Sequence, residues 1–327
     1  MGGLSRKLEY VNTLKRKNIK PIILDAGETL FSSQFVADGA LESERYKAKS
    51  FLNLFESIGC DALNIGGFDL AGGFGFLSDL QANSTVTFLS ANLRIKETGD
   101  LAFQPFKVID RGDLKIGIIG VTNLLPLRIK ELSMDNYLEA GKSYILQLRK
   151  NVDILVLLVN ALRKDKATIL ENFSDADYIF LSRPINRTRT TMKQESLKPF
   201  IYTLGKEGKY LSVVDLEITD PGQEIVDVTY LDYRSAYLSQ KLRRWEVSEI
   251  GQDLNEKYGQ KPTLMNQINA FINEKDSIDH NLETATNNSR YKSVGMRKTM
   301  AFDQPMQAAI NVVLATADSI RSAVVTK

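Results

Sequence analysis

Three carboxylates stand where an α/β sheet would gather a ligand. Asp25 and Glu28 follow the short apolar run Pro21-Ile22-Ile23-Leu24, and Asp69 lies in a glycine-rich stretch after Asp61-Ala62-Leu63-Asn64-Ile65. Ligands of open α/β sheets bind beyond the carboxyl ends of the strands, and these oxygens could at best hold one hard cation such as magnesium. Four arginines follow, Arg163, Arg183, Arg187 and Arg189, and guanidinium groups grip phosphate or carboxylate through forked hydrogen bonds. Histidine is what the set lacks. The chain has one, His280, far along the sequence from all of these residues, so a serine triad would have no base. The glycines of 66–75 lack both dinucleotide spacing and a P-loop lysine. The single cysteine, Cys60, excludes an internal disulfide and a cysteine zinc cage, and its setting between a helix and a strand reads as a small buried residue.

The elements that must carry these residues alternate along the chain. Leu4, Leu8, Val11 and Leu14 have helical spacing over residues 4–18. A strand then ends at Asp25, a helix over 40–58 leads to the strand 61–65, and another helix precedes Thr87-Phe88-Leu89-Ser90-Ala91-Asn92. Arg111-Gly112-Asp113 between two apolar runs is a hairpin signal. Helices feed the strands Ile154 to Val159 and Tyr178 to Leu181, while 200–204, 210–218 and 225–230 read as antiparallel strands of a second sheet. This is a mixed α/β sandwich. After Asp232 the pattern turns helical: Leu238 to Tyr258 with Trp245 as packing, Leu264 to Ile272, and a helix opened by Asp303 and Pro305, with 281–300 as an exposed loop. We therefore expect a domain over residues 1–231 and an all-helical C-terminal extension over 232–327.

With 327 residues, 43% of them hydrophobic, the chain can fill a real core. Lys plus Arg number 42 against 40 Asp plus Glu, a net charge of +2, which offers no field for nucleic acid or an anionic membrane. The longest apolar run, Ile154 to Val159, is too short to span a bilayer. Its start, Met1-Gly2-Gly3-Leu4-Ser5-Arg6-Lys7, runs straight into a polar helical pattern with no export signal, so the chain as written is expected in the cytoplasm.

Taken together and in order, the strand-terminal motifs resemble the calcineurin-like metallophosphoesterase domain of the 5′-nucleotidase family. Leu24-Asp25-Ala26-Gly27-Glu28 resembles its aspartate-alanine-glycine-aspartate motif, and Asn64-Ile65-Gly66-Gly67-Phe68-Asp69 falls where glycine-asparagine-histidine-acid belongs. Leu89 to Leu93, Lys115 to Val121 and Gly205-Lys206-Glu207-Gly208-Lys209-Tyr210-Leu211 are similar to further segments, and the likeness covers roughly residues 2–230. It implies an α/β/β/α sandwich of two sheets. In active members two divalent metals are held by histidines, aspartates and an asparagine, with a histidine assisting the leaving group.

This chain departs from that pattern at the ligands. The bridging aspartate is replaced by Glu28, the asparagine by Gly67 and its neighbouring histidine by Phe68. Asn160 stands where a histidine ligand is expected, and Ser182-Arg183-Pro184-Ile185 replaces glycine-histidine-x-histidine, so Arg183 and Ile185 take the places of two more. The resemblance thus implies a degenerate cleft of Asp25, Glu28, Gly67, Phe68, Asp69, Asn160, Arg183 and Ile185, with no metal cofactor and no catalytic residue. The arginines then have two readings. Arg163, Arg183, Arg187 and Arg189 could form an anion site, or Arg183 could pair with Glu28 or Asp69, the favoured reading because buried charges end up paired.

The expected function is a ligand-binding or assembly module, self-associating or meeting a protein partner through the C-terminal helices. The alternative is a metal-dependent phosphoester or nucleotide hydrolase whose absent first motif, aspartate-x-histidine, lies upstream of Met1. A start placed inside the domain would also make the full protein periplasmic or exported, as in relatives.

Overall fold

The computed structural model describes residues 3–325 apart from 185, 195–198, 206–207 and 247–256. They form two compact units, one of Met1–Thr188, Glu195–Leu211 and Val294–Lys327, the other of Arg189–Gln194 and Ser212–Ser293. The break expected at 231/232 falls inside the second unit.

In the first unit, β1 (Leu24–Asp25), β2 (Ala62–Asn64) and β3 (Thr87–Leu89) make a parallel sheet in that order. β4 (Leu93–Ile95) and β7 (Leu132–Met134) pair as a small antiparallel ribbon. β5 (Phe106–Arg111), β6 (Leu114–Thr122), β8 (Ile154–Asn160), β9 (Tyr178–Ser182) and β10 (Phe200–Thr203) form a five-stranded sheet in the order β10-β9-β8-β6-β5. Every residue of β8 is buried, as a central parallel strand covered on both faces demands. The hairpin between β5 and β6 turns at Gly112 and Asp113, with Arg111 opposite Leu114.

Two helical layers enclose these sheets. α1 (Leu4–Arg16), α2 (Asp38–Ile58) and α3 (Phe74–Ala82) share a buried cluster with β2 and β3 that joins Leu4, Val11, Leu52, Phe55 and Leu77 to Leu63 and Phe88. α4 (Tyr137–Leu148) and α5 (Lys166–Asn172) bury Ile145, Leu148, Ile169 and Leu170 against Ile119, Leu157 and Ile179 of the larger sheet. Between the sheets, the Asn64 amide donates to the Val121 carbonyl at 3.0 Å. The unit is a mixed α/β/β/α sandwich.

The second unit holds α6 (Val228–Glu246) and α7 (Pro262–Thr284), joined by an Arg234–Glu274 pair at 2.6 Å and by Trp245 stacked on Phe271 at 5.6 Å. The part of the expected helix over 247–256 lies outside the described residues.

Three expectations change. β10 does not pair antiparallel with the strands after it; it lies parallel to β9, with Phe200 opposite Tyr178, because Phe200, Ile201 and Tyr202 are all buried and fit a covered sheet. The expected loop over 281–300 contains β13 (Asn287–Gly295), the centre of a sheet ordered β11 (Tyr210–Glu217), β13, β12 (Ile225–Asp227). The C-terminal third is therefore not helical throughout. Its last helix, α8 (Gln304–Val325), belongs to the first unit: Met306 and Ile310 enter the buried cluster, and Ser5 Oγ donates to Gln307 Oε1 at 2.8 Å.

Candidate functional site

Parallel register aligns a polar row at the carboxyl ends of the larger sheet, with Thr122 opposite Asn160 and Asn160 opposite Ser182. Thr122 Oγ1 donates to Asn160 Oδ1 at 3.0 Å, Asn160 Nδ2 donates to Ser182 Oγ at 2.8 Å, and Ser182 Oγ donates to the Ala26 carbonyl at 2.8 Å. The row thus ties the sheet to the loop after β1. Asn160 is fully buried, and its Oδ1 also takes the Gly67 N–H at 3.4 Å.

The three carboxylates behave differently from one another. Asp69 is fully buried in the 3-10 turn Gly67–Gly72 and accepts four backbone N–H groups, each at 2.8 Å: Thr29 and Leu30 on Oδ1, Glu28 and Gly66 on Oδ2. Burial pushes its carboxyl up to about 6, and the backbone donors oppose that rise. It folds the β1 loop. Asp25 closes the same loop on itself, accepting from Gly27 N at 2.8 Å and Thr29 Oγ1 at 2.6 Å. Burial raises its carboxyl too, against those bonds and the nearby Lys7.

Glu28 faces Arg183, with Oε1 3.2 Å from Nε and the side chains 14% and 17% exposed. Oε1 accepts no directed hydrogen bond, so the contact is chiefly one of charge. Burial holds the Glu28 carboxyl above its usual range, against the pull of Arg183 and of a hydrogen bond with Asn160. Arg183 Nη1 donates to Asn123 Oδ1 at 3.2 Å, and Asn123 Nδ2 donates to Asp165 Oδ2 at 2.9 Å. Glu28 and Arg183 both have left-handed backbone, φ 66° and 77°, a strained state for residues with a Cβ.

The other expected residues divide. Gly67 is buried, and a Cβ there would lie 2.4 Å from Leu124 Cγ and Cδ2. Leu124 therefore fills the space a longer side chain at 67 would need. Phe68 is half-buried, and Ile185 lies outside the described residues, as do Lys206 and Glu207. Arg163 is exposed in a 3-10 turn; Arg187 lies over the Tyr210 ring at 4.3 Å; Arg189 is exposed and belongs to the second unit. Among the described residues, only Arg183 of the four is shown engaging the cleft carboxylates. Thr122, Asn123 and Leu124 carried no expectation from the sequence, although the polar pair Thr122-Asn123 at the end of the apolar strand β6 was a visible signal.

One carboxylate is saturated by N–H groups, one faces a guanidinium, and a leucine fills the space beside Gly67. Among the described residues, no group of three or more His, Cys, Asp and Glu side chains could hold a metal ion. Cys60 is buried, with its Sγ 3.4 Å from the Ala62 carbonyl. His280 is an exposed residue of α7 in the second unit. No helix among the described residues is long and apolar enough to cross a membrane.

Sandwich and strand-end cleft together define a calcineurin-like phosphoesterase fold. The solved structure of the calcineurin-like phosphoesterase YfkN from Bacillus subtilis matches with a TM-score of 0.61 at 12% identity, covering 97% of this chain and 90% of that one. Sulfate thiohydrolase SoxB from Thermus thermophilus matches at 0.65 and 14% identity, covering 97% and 47%. In sequence, the snake venom 5′-nucleotidase of Gloydius brevicauda is 29% identical over 128 residues, which is 37% of this chain and 20% of that protein. The match thus spans about a fifth of that relative's length. No protein-family model matches the sequence. The chain thus has the calcineurin-like phosphoesterase fold, and over about a third of its length its sequence is similar to 5′-nucleotidases.

Proposed function

We propose that this domain keeps the phosphoesterase scaffold without its hydrolysis, and serves as a ligand-binding or assembly module with no dinuclear metal centre. One observation carries the reading: the unit that bears the strand ends contains no histidine, since the only one in the chain, His280, is in the other unit. Imidazole is the ligand type that suits zinc and iron sites while leaving room for an attacking water, and carboxylates already bound to backbone N–H groups do not replace it. For assembly, the C-terminal helices are the proposed surface, and α8 leaves Val312 63% exposed.

The test is the purified full chain. Metal analysis should find no stoichiometric manganese, zinc or iron, and phosphodiester and 5′-nucleotide substrates with added manganese should give no release above blank. Two tightly held ions per chain, with turnover abolished in Glu28→Gln, would overturn the proposal in favour of a metal-dependent hydrolase.

A further inference from the structure

Resting on the non-hydrolytic reading, we infer that Arg183 and Leu124 replace the metal centre itself: Arg183 as a built-in cation for Glu28, Leu124 as the filler of the ligand space. The cleft then holds its shape with no divalent ion.

Charge comes first. Glu28 sits 14% exposed with Oε1 accepting no hydrogen bond, and the positive group facing it is the Arg183 guanidinium at 3.2 Å. A carboxylate stranded in such a place is costly unless a cation meets it. The guanidinium is aimed by a relay: Asp165 takes the Asn123 side-chain N–H, and Asn123 Oδ1 takes Arg183 Nη1. Backbone supports the same conclusion. Glu28 and Arg183 come from separate segments, yet both hold left-handed φ, a strain that persists only where the surroundings over-determine it. Each residue is turned toward the other at that cost.

Volume comes second. Leu124 lies so close to Gly67 that a Cβ there would fall 2.4 Å from its Cγ, so a ligating side chain at 67 and the present Leu124 exclude each other. Leu124 N in turn is within 3.3 Å of Thr122 Oγ1, the hydroxyl that orients Asn160. Filler and polar row are therefore one construction.

The experiment compares the full-length wild type, Arg183→Ala and the double variant Glu28→Gln/Arg183→Ala by thermal unfolding, in chelator and in millimolar manganese. The wild-type midpoint should not move with manganese. Arg183→Ala should fall by about 5 °C in chelator and recover at least half of that with manganese, because the ion now meets Glu28. The double variant should fall less than Arg183→Ala and ignore manganese. Should Arg183→Ala fail to fold in chelator, a folded double variant supports the inference and an unfolded one overturns it. An Arg183→Ala protein blind to manganese, or equal gains in all three proteins, also overturns it. Failure of the underlying reading looks different, since there the wild type itself would carry two metals and turn over substrate.

Discussion

Asp69 shows how far a residue's chemical type can be from its job. Beside Asp25 and Glu28 it reads as a cation ligand, yet its two oxygens collect four backbone N–H groups from Glu28, Thr29, Leu30 and Gly66. Asp69→Asn keeps the volume but swaps one acceptor oxygen for an NH2 group that faces two donors. We expect a loss of about 2–4 kcal/mol in denaturant-derived stability, because buried N–H groups left without acceptors cost their full desolvation; a loss under about 0.5 kcal/mol would show that the loop does not depend on this carboxylate. The positions of Asp25, Glu28, Asp69, Asn160 and Arg183 were legible because each follows a recognisable strand. What they do was not, because converging backbone amides leave no mark in side-chain types. Leu124 was invisible for a related reason: an apolar residue in a loop carries no sign that it will be seated against a glycine 57 positions earlier.

At the scale of elements, the loop after β6 and the turn after β2 meet at Leu124 and Gly67, which are coupled by volume. Gly67→Ala should cost about 1–3 kcal/mol by overpacking. Leu124→Ala removes the colliding atoms, so the double variant should be more stable than the two single losses added together predict, by 0.5 kcal/mol or more on the scale of about 0.5–3 for contacting residues. Strict additivity in that cycle would place the residues out of contact. Elements whose burial is apolar were legible in sequence: β8, with seven buried residues, and α2, with Leu52 and Phe55 inward. β13 was not, because its inward residues are Asn287, Ser289 and Tyr291. Asn287 is buried only because Thr219, Asp220 and Gln223 complete its amide with four hydrogen bonds, and such partners cannot be read from a polar run. β10 was seen as a strand but assigned to the wrong neighbours, since register depends on tertiary packing more than on the strand's own pattern.

For the whole molecule, the buried acids set a pH dependence whose sign follows from burial. Asp25, Glu28, Asp69 and Asp227 are all pushed above their ordinary values, each chiefly by burial, with Asp69 at about 6. A folded-state value above the unfolded one means that the native protein binds the proton more tightly. The stability each group contributes is therefore complete below the ordinary carboxylate range and is lost as pH rises through its folded value. Glu274 and Asp279 are lowered by hydrogen bonds from Arg234 and Lys275 and act in the opposite sense, but they lie at the surface, where solvent screens them. The buried set should dominate, so unfolding free energy should decline as pH rises from about 4.5 to about 6.5. Asp69→Asn removes the acid raised to about 6 and should flatten that decline, whatever it does to stability at any single pH. Urea titrations of both proteins at several pH values measure the two slopes. A wild-type curve that rises across this window, or a variant whose slope equals the wild type's, would mean that the cleft carboxylates are not the groups that bind the protons.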